Sequence, residues 1–186
     1  ILTRALAEGR LDIGQSAADA ASARLVFIGV QTPAKGQDCD YTVLKIVIGQ
    51  LAKTAPQGQV IVIGSTVFPG AMKREILPIL ASRPDLDLVY EPVFLRAGFG
   101  IRDYQQPGKL IAGVSNPANP NPLLVDLFAR VVDEKPQYVK YDEAEWIKMV
   151  HNAWMCMKIS FANEIGALCA DWGTDGAAVL TIAFGE

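Results

Sequence analysis

The sequence has few of the residues that build disulfide frameworks or metal centres. It contains three cysteines, Cys39, Cys156 and Cys169, which form no CxxC pair, and a single histidine, His151. Widely spaced cysteines without a neighbouring cluster of histidines and carboxylates are typical of reduced cytoplasmic thiols, not of metal ligands. We therefore expect no metal site and a cytoplasmic location.

Clusters of one charge and long apolar runs are missing as well. The 17 basic and 20 acidic residues give a net charge of −3, and no Lys/Arg cluster interleaves with aromatic residues. We therefore expect no binding to nucleic acid. No apolar run approaches the roughly 18 residues that cross a membrane, so we also expect no membrane segment.

The start of the chain has neither an initiator Met nor the apolar core of a signal peptide. It begins at Ile1 with ILTRALAEGR, and we therefore expect a fragment of a longer protein. Its 186 residues are 51% hydrophobic and 20% charged, which is typical of a globular domain with a small extension.

Short apolar runs separated by amphipathic segments predict an α/β fold. The runs LVFIGV (25–30) and VIVIGS (60–65) have no polar alternation, as in strands buried on both faces of a parallel sheet. Residues 40–54 between them have helical spacing, which predicts a right-handed strand–helix–strand unit. The pattern continues with a predicted helix over 71–82, strands over 86–90 and 109–114, a helix over 122–132 and a short strand over 137–141.

The character of the sequence changes near Tyr141. Residues 142–172 contain no proline and one glycine, and Gly173 is suited to end a helix. A helix of about 30 residues is about 45 Å long, more than one small domain can cover. Its apolar side chains must therefore be buried by a second domain or a second subunit.

Two loops follow predicted strands and precede predicted helices. The loop VQTPAKG (30–36) carries Thr32 and Pro33, and the loop GSTVFPG (64–70) carries Ser65 and Thr66. In doubly wound sheets, ligands bind at the carboxyl ends of the strands, where helix N-termini present free N–H groups. From the residues alone, ordinary loop chemistry and an ordinary helix cap stay open as alternatives.

The segment 90–110, YEPVFLRAGFGIRDYQQPGKL, has no obvious secondary structure of its own. Loops of this length inside compact domains are usually functional or disordered. The GFG at 98–100 has no strand leading into it and no predicted helix after it, so we assign it no phosphate-binding role.

On the predicted long helix, Lys148 and Asn152 are four residues apart and project from one face. A lysine beside an amide can orient and polarise a hydroxyl group or a water molecule. From spacing alone, a solvated charge on an exposed stripe is the simpler interpretation. His151, on a nearby face, is interpreted as a packing or surface residue.

Six segments, taken in order, resemble the UDP-glucose/GDP-mannose dehydrogenase family and cover nearly the whole chain. They are EGRL (8–11), VFIGVQTP (26–33), STVFPG (65–70), EPVFLRAG (91–98), PGKLIAG (107–113) and the run from AEWIKMVHNAW to ADWGTD (144–175). The resemblance implies an NAD-dependent enzyme that oxidises the sugar 6-hydroxyl of a UDP- or GDP-sugar to a carboxylate. The family reaction uses two hydride transfers and passes through a cysteine-bound thiohemiacetal and thioester.

The resemblance also implies two domains and a set of site residues. Residues 1–140 would be the C-terminal part of an NAD-binding, Rossmann-like domain. Residues 141–186 would begin a central helical domain, with a homodimer interface over 142–172. The implied cofactor-binding residues are Val30, Thr32, Pro33, Ser65 and Thr66, and the implied catalytic residues are Lys148, Asn152 and Thr66.

The chain departs from the family pattern in three ways. The family's GxGxxG loop would lie upstream of Ile1, and its nucleophilic cysteine would lie downstream of Glu186. The family motif PEFL..EG carries two glutamates, which here are Val93 and Ala97. Two alternatives therefore stay open: a 3-hydroxyacid or 6-phosphogluconate type of dehydrogenase, and a degenerate module that keeps only the fold and the dimer interface.

Overall fold

The computed structural model describes residues 2–132 and 134–185. The chain divides into two compact units, Ile1–Trp146 and Ile147–Glu186. No helix within the described ranges is long and apolar enough to cross a membrane. In chain order the elements are α1 (Leu2–Ala7), β1 (Leu25–Ile28), β2 (Ala34–Lys35), β3 (Asp38–Cys39), α2 (Thr42–Thr54), β4 (Val60–Ile63), β5 (Asp87–Tyr90), α3 (Gly100–Gln105), β6 (Ile111–Gly113), α4 (Pro122–Val131), β7 (Gln137–Val139), α5 (Tyr141–Asp171) and α6 (Gly176–Phe184).

A five-stranded sheet in the order β1-β4-β5-β6-β7 forms the centre of the first unit. Strands β1, β4 and β5 run parallel, as the apolar runs predict. Strand β6 pairs antiparallel with β5 and parallel with β7. The α/β prediction is confirmed. The reversed direction of β6 was not predicted. The connection from β5 to β6 holds only the six-residue α3, which is shorter than the helix of a usual parallel crossover.

The two apolar runs are not buried equally. All four residues of β4, Val60–Ile63, are fully buried, as predicted for a strand covered on both faces. Strand β1 lies at the edge of the sheet, and its Phe27 is 46% exposed. The prediction of burial on both faces is therefore right for β4 and wrong for β1.

Helices α2 and α4 each bury apolar residues at helical spacing. In α2 the buried residues are Leu44, Ile48 and Leu51, which share one face. In α4 they are Leu124 and Phe128, which belong to the cluster around the central strands. Residues i and i+4 lie on the same side of a helix, so each helix buries one continuous stripe.

The segment predicted as a regular helix over 71–82 takes another form. It begins with a π-helical turn, Met72–Ile76, and continues with a 3-10 turn, Leu77–Leu80. Pro78 lies in the second turn and has no N–H to donate to an earlier carbonyl. The α-helical hydrogen-bond pattern therefore cannot run through this segment.

The second unit contains most of the long helix and α6. Helix α5 covers Tyr141–Asp171 and confirms the predicted long helix. After it, Gly173 has a φ of +65°, and the Thr174 N–H donates to the Cys169 carbonyl oxygen at 2.9 Å. Asp175 then caps α6 by accepting hydrogen bonds from two backbone N–H groups. Helix α6 is not predicted by the sequence analysis.

Candidate cofactor and active site

The loops after β1 and β4 are joined by two hydrogen bonds at the carboxyl edge of the parallel strands. The Ser65 hydroxyl donates to the Val30 carbonyl oxygen at 2.6 Å, and the Thr32 hydroxyl donates to the Thr66 carbonyl oxygen at 2.7 Å. The structure therefore brings together four of the five residues assigned to the cofactor. Ser65 is buried, and both hydroxyl protons are used to hold the loops, so these side chains can offer a ligand only their oxygen lone pairs.

Pro33, the fifth assigned residue, closes the hairpin formed by β2 and β3. Its carbonyl oxygen accepts the Asp40 N–H at 2.8 Å. The β2–β3 hairpin lies within the chain between β1 and α2, directly after the loop that carries Thr32. Pro33 therefore shapes the loop through its backbone.

A tyrosine that the sequence analysis did not single out ties the hairpin to the β4 loop. The Tyr41 hydroxyl donates to the Asp38 carboxylate at 2.6 Å and accepts the Phe68 N–H at 3.0 Å. Burial raises the pKa of Tyr41, and the hydrogen bond to Asp38 adds to the shift. The bond from Tyr41 lowers the pKa of Asp38, with a further contribution from Arg74. Asp38 therefore stays ionised while it holds this loop.

A carboxylate from the start of α5 completes the support of the same turn. Glu145 is 1% exposed and accepts the Gly70 N–H at 2.6 Å and the Met72 N–H at 2.7 Å. Gly70 has a φ of +84°, which favours glycine. Burial raises the pKa of Glu145, and the two N–H donors oppose that shift. No local pattern in the sequence indicates this contact, because its partners lie far apart in the chain.

The backbone at Gly29 and Gly64, just after β1 and β4, leaves room for close approach. A Cβ built on Gly29 would meet no atom within 4 Å, and one on Gly64 would come no closer than 3.6 Å to the Ile28 carbonyl oxygen. The same Cβ on Gly64 would lie 3.9 Å from the Val93 side chain. The residues present therefore fit a cofactor that approaches the backbone at the ends of β1 and β4.

A small cavity lies on the segment that follows β5. It measures about 20 Å³ and is lined by residues that include Glu91, Val93, Tyr104 and Lys109. Glu91 is 3% exposed, and its burial raises its pKa to about 7. Burial and the nearby charge of Glu91 raise the pKa of Tyr104 to about 12. The carboxyl group of Glu91 is therefore the group in this cavity that titrates near neutral pH.

The rest of that segment is ordered by an ion pair. Asp103 accepts hydrogen bonds from the Arg96 N–H and guanidinium at 2.7–3.0 Å, and these bonds lower its pKa to about 2. The guanidinium groups of Arg96 and Arg102 lie over the Phe99 ring at 5.3 and 4.9 Å. Helix α3 starts at Gly100, so the expectation that no helix follows the GFG is wrong. A helix of six residues adds no phosphate site.

The assigned residues Lys148 and Asn152 lie on α5 in the second unit. Lys148 is half-buried, and burial lowers its pKa. Asn152 is exposed, and His151 is half-buried. The grouping of Lys148 and Asn152 with Thr66 stays a prediction. Within the described ranges no three His, Cys, Asp or Glu side chains are placed to hold a metal ion.

Comparison with known proteins identifies the family. Residues 1–132 match the NAD binding domain of the UDP-glucose/GDP-mannose dehydrogenase family, and residues 142–184 match its central domain. The chain belongs to this family. NAD is therefore the cofactor of the first domain, and the family decides against the 3-hydroxyacid or 6-phosphogluconate alternative.

The individual relatives agree with this assignment. The chain is 33% identical to the GDP-mannose 6-dehydrogenase of Pseudomonas putida over 98% of its own length and 44% of the relative. It is 29% identical to the UDP-glucose 6-dehydrogenase of Rickettsia prowazekii over 81% of its length and 35% of the relative. The GDP-mannose dehydrogenase of Pseudomonas aeruginosa, solved as a ternary complex, has a TM-score of 0.89 at 26% identity and is covered over 44% of its length. The chain therefore spans less than half the length of these relatives.

Proposed function

We propose that the protein containing this chain is an NAD-dependent dehydrogenase of nucleotide sugars. It would oxidise the 6-hydroxyl of a UDP- or GDP-sugar to a carboxylate, with water as the second reactant and two NAD⁺ as the electron acceptors. The observation that carries the proposal is the pair of loops joined by Ser65 and Thr32 at the carboxyl edge of β1 and β4. Family membership identifies the cofactor that such an edge takes.

In this proposal the cofactor lies along the two joined loops. Val30, Thr32 and Pro33 would line it from the β1 side, and Ser65 and Thr66 from the β4 side. The turn after Thr66 is held by Tyr41 and Glu145, so the backbone is fixed before the ligand arrives. Such preorganisation lowers the cost of ordering a loop when a ligand binds.

The catalytic residues in this proposal are Lys148, Asn152 and Thr66. Lys148 and Asn152 project from one face of α5, so a single substrate atom can meet both. An ammonium group and an amide stabilise the negative charge that grows on the substrate oxygen as the hydroxyl loses its proton, before the neighbouring carbon gives up its hydride. The half-buried position of Lys148 strengthens this effect, since a desolvated charge interacts more strongly.

We further propose that the protein is a homodimer joined through residues 142–172. Trp154 and Phe161 on α5 are 52% and 49% exposed, and with Phe184 on α6 they line an apolar groove of about 620 Å³. Trp146 and Met155 on α5 are exposed too. Light scattering on the wild type and on Phe161→Asp should show a dimer that the variant dissociates. A wild-type monomer would reject this arrangement.

Two wider expectations rest on the same proposal. The three cysteines are unpaired, as in a reducing compartment, and we place the protein in the cytoplasm. A nucleotide-sugar acid is an activated building block for glycosyl transfer, which is the reaction class that polysaccharide biosynthesis requires.

The test of the function is NADH formation by the full-length protein supplied with GDP-mannose or UDP-glucose. We expect turnover in the wild type and a loss of at least about 10²-fold in Lys148→Ala, because transition-state charge would lose its partner. The control is Lys53→Ala, which removes an exposed lysine of α2. A wild type that binds NAD⁺ without forming NADH would favour the degenerate module, which Val93 and Ala97 suggest.

A further inference from the structure

Glu91 and Val93 lie on the same side of the chain after β5. The Glu91 N–H donates to the Ile63 carbonyl oxygen at 2.9 Å, so the extended pairing of β5 with β4 continues into Glu91. In an extended chain, residues two apart point to the same side. Both residues line the cavity of about 20 Å³, which has room for one water molecule. A carboxyl group at position 91 and a side chain at position 93 therefore share one small space.

Among the ionisable side chains around this cavity, Glu91 is the acid that titrates near neutral pH. Asp103 is bound by Arg96 and stays ionised. Tyr104 keeps its proton, because burial and Glu91 raise its pKa to about 12. The Lys109 ammonium group lies over the Phe94 ring at 5.3 Å. Glu91 itself is buried by the surrounding segment, which raises its pKa to about 7 and allows it to gain or lose a proton at neutral pH.

Val93, which lines the cavity, also faces the edge where the cofactor would lie. Its Cγ1 would lie 3.9 Å from a Cβ built on Gly64, the residue before Ser65 and Thr66. Glu91 and Thr66 thus follow neighbouring parallel strands at the same end of the sheet. One water molecule in the cavity can connect the Glu91 carboxylate to a hydroxyl group bound at this edge.

We propose that Glu91 is the proton-transfer group of the oxidation, in the space that Val93 leaves without a carboxylate. This inference rests on the proposed function. The substrate C–H bond breaks and its electron pair leaves as hydride to NAD⁺, while the hydroxyl proton passes through the water to the Glu91 carboxylate. The alcohol carbon is oxidised to the aldehyde, NAD⁺ is reduced to NADH, and the proton on Glu91 is later released to solvent.

A buried acid with a purely structural role makes different predictions. Its replacement by an uncharged side chain of the same shape would change stability and leave the pH dependence of the rate alone. A proton-transfer group gives kcat/KM an acid limb, because the protonated form cannot accept the substrate proton. The pH profile therefore separates the two roles.

The experiment compares full-length wild type, Glu91→Gln and the control Asp126→Asn, which removes an exposed carboxylate of α4. We expect Glu91→Gln to lower kcat by about 10²–10⁴-fold, to lose the acid limb near pH 7 and to keep the KM for NAD⁺. Asp126→Asn should behave as the wild type. The double variant Glu91→Asn/Val93→Glu, which moves the carboxyl group by two residues within the same cavity, should recover part of the lost rate.

Two results would overturn the proposal in distinguishable ways. Wild-type turnover with an unchanged rate and acid limb in Glu91→Gln would reject the role of Glu91 and leave the proposed function intact. A wild type that forms no NADH from any nucleotide sugar would reject the proposed function, and the role of Glu91 with it.

Discussion

The turn after β4 and the segment after β5 lie at the same edge of the sheet but are built differently. In the first, three side chains from distant parts of the chain bind the backbone of residues 66–72: Thr32 and Tyr41, which flank the β2–β3 hairpin, and Glu145. In the second, residues 91–106 contain an ion pair of their own, Arg96 with Asp103, and enclose a buried acid. The comparison distinguishes a turn that distant side chains hold in place from a segment that contains its own ion pair and a buried acid.

The largest effect on stability is expected for Glu145, which binds the backbone of the turn after β4. Glu145→Ala leaves the buried Met72 N–H and the part-buried Gly70 N–H without their acceptor. A buried unsatisfied donor costs about 1–3 kcal/mol and a part-buried one less, so we expect a loss of about 2–4 kcal/mol in the free energy of unfolding by urea. Glu164→Ala, at an exposed position of α5, is the control and should stay within about 0.5 kcal/mol. Equal losses in the two variants would show that Glu145 does not stabilise the turn.

The second effect concerns Glu91, the buried acid of the segment after β5. The folded pKa of Glu91, about 7, lies above the ordinary value of 4.5. The folded state therefore binds this proton more tightly, and the resulting stability is present below pH 4.5 and is lost as the pH rises through about 7. Glu91→Gln should remove that dependence. The difference in unfolding free energy, variant minus wild type, should therefore increase by at most about 3 kcal/mol between about pH 4 and pH 8. Urea unfolding at both pH values measures it, and parallel pH dependences in the two proteins would contradict the burial of a titrating carboxyl group.

A pair of glycine substitutions tests the backbone of the fixed turn. Gly70 has a φ of +84°, and a Cβ there would lie 3.3 Å from the Arg74 guanidinium. Gly70→Ala should lower the unfolding free energy by about 1–2 kcal/mol, because an L-residue is strained in this region. Gly49→Ala, inside α2 where a Cβ meets no atom within 4 Å, should raise it by about 0.5–1 kcal/mol. Thermal unfolding of both variants checks the opposite signs; a shift of the same sign would contradict the account.

The smallest effect is expected for the tyrosine hydroxyl groups. Tyr41→Phe removes the group that joins Asp38 to the Phe68 N–H and should cost about 1 kcal/mol. Tyr138 has a buried hydroxyl group without a hydrogen-bond partner among the described residues. Tyr138→Phe should therefore leave the stability unchanged or raise it slightly. The prediction fails if chemical unfolding shows the same loss for both.

The sequence predicted those features that depend on local pattern. The run at 60–63 and the long helix over 141–171 are confirmed, because apolar spacing and the lack of proline determine them locally. The helix over 71–82 was wrong in form because Pro78 interrupts the hydrogen bonds, a signal that was present in the sequence. The reversal at β6 depends on how the chain returns after β5, which no short pattern encodes.

The candidate site was predictable in its loops but not in its supports. Thr32, Pro33, Ser65 and Thr66 follow apolar runs and could be located from them. Glu145 could not be located, because it reaches Gly70 across 75 residues of sequence. The raised pKa of Glu91 could not be predicted either, since it depends on burial by the segment around α3 and not on its neighbours in the chain.

The account is tested most directly by the amount of NADH formed per nucleotide sugar consumed by the full-length protein. Oxidation of an alcohol to a carboxylate releases two hydrides, so we predict two NADH for each GDP-mannose or UDP-glucose that becomes an acid. A single NADH with accumulation of an aldehyde would contradict the proposed four-electron oxidation. Bound NAD⁺ that is never reduced would contradict the catalytic account as a whole.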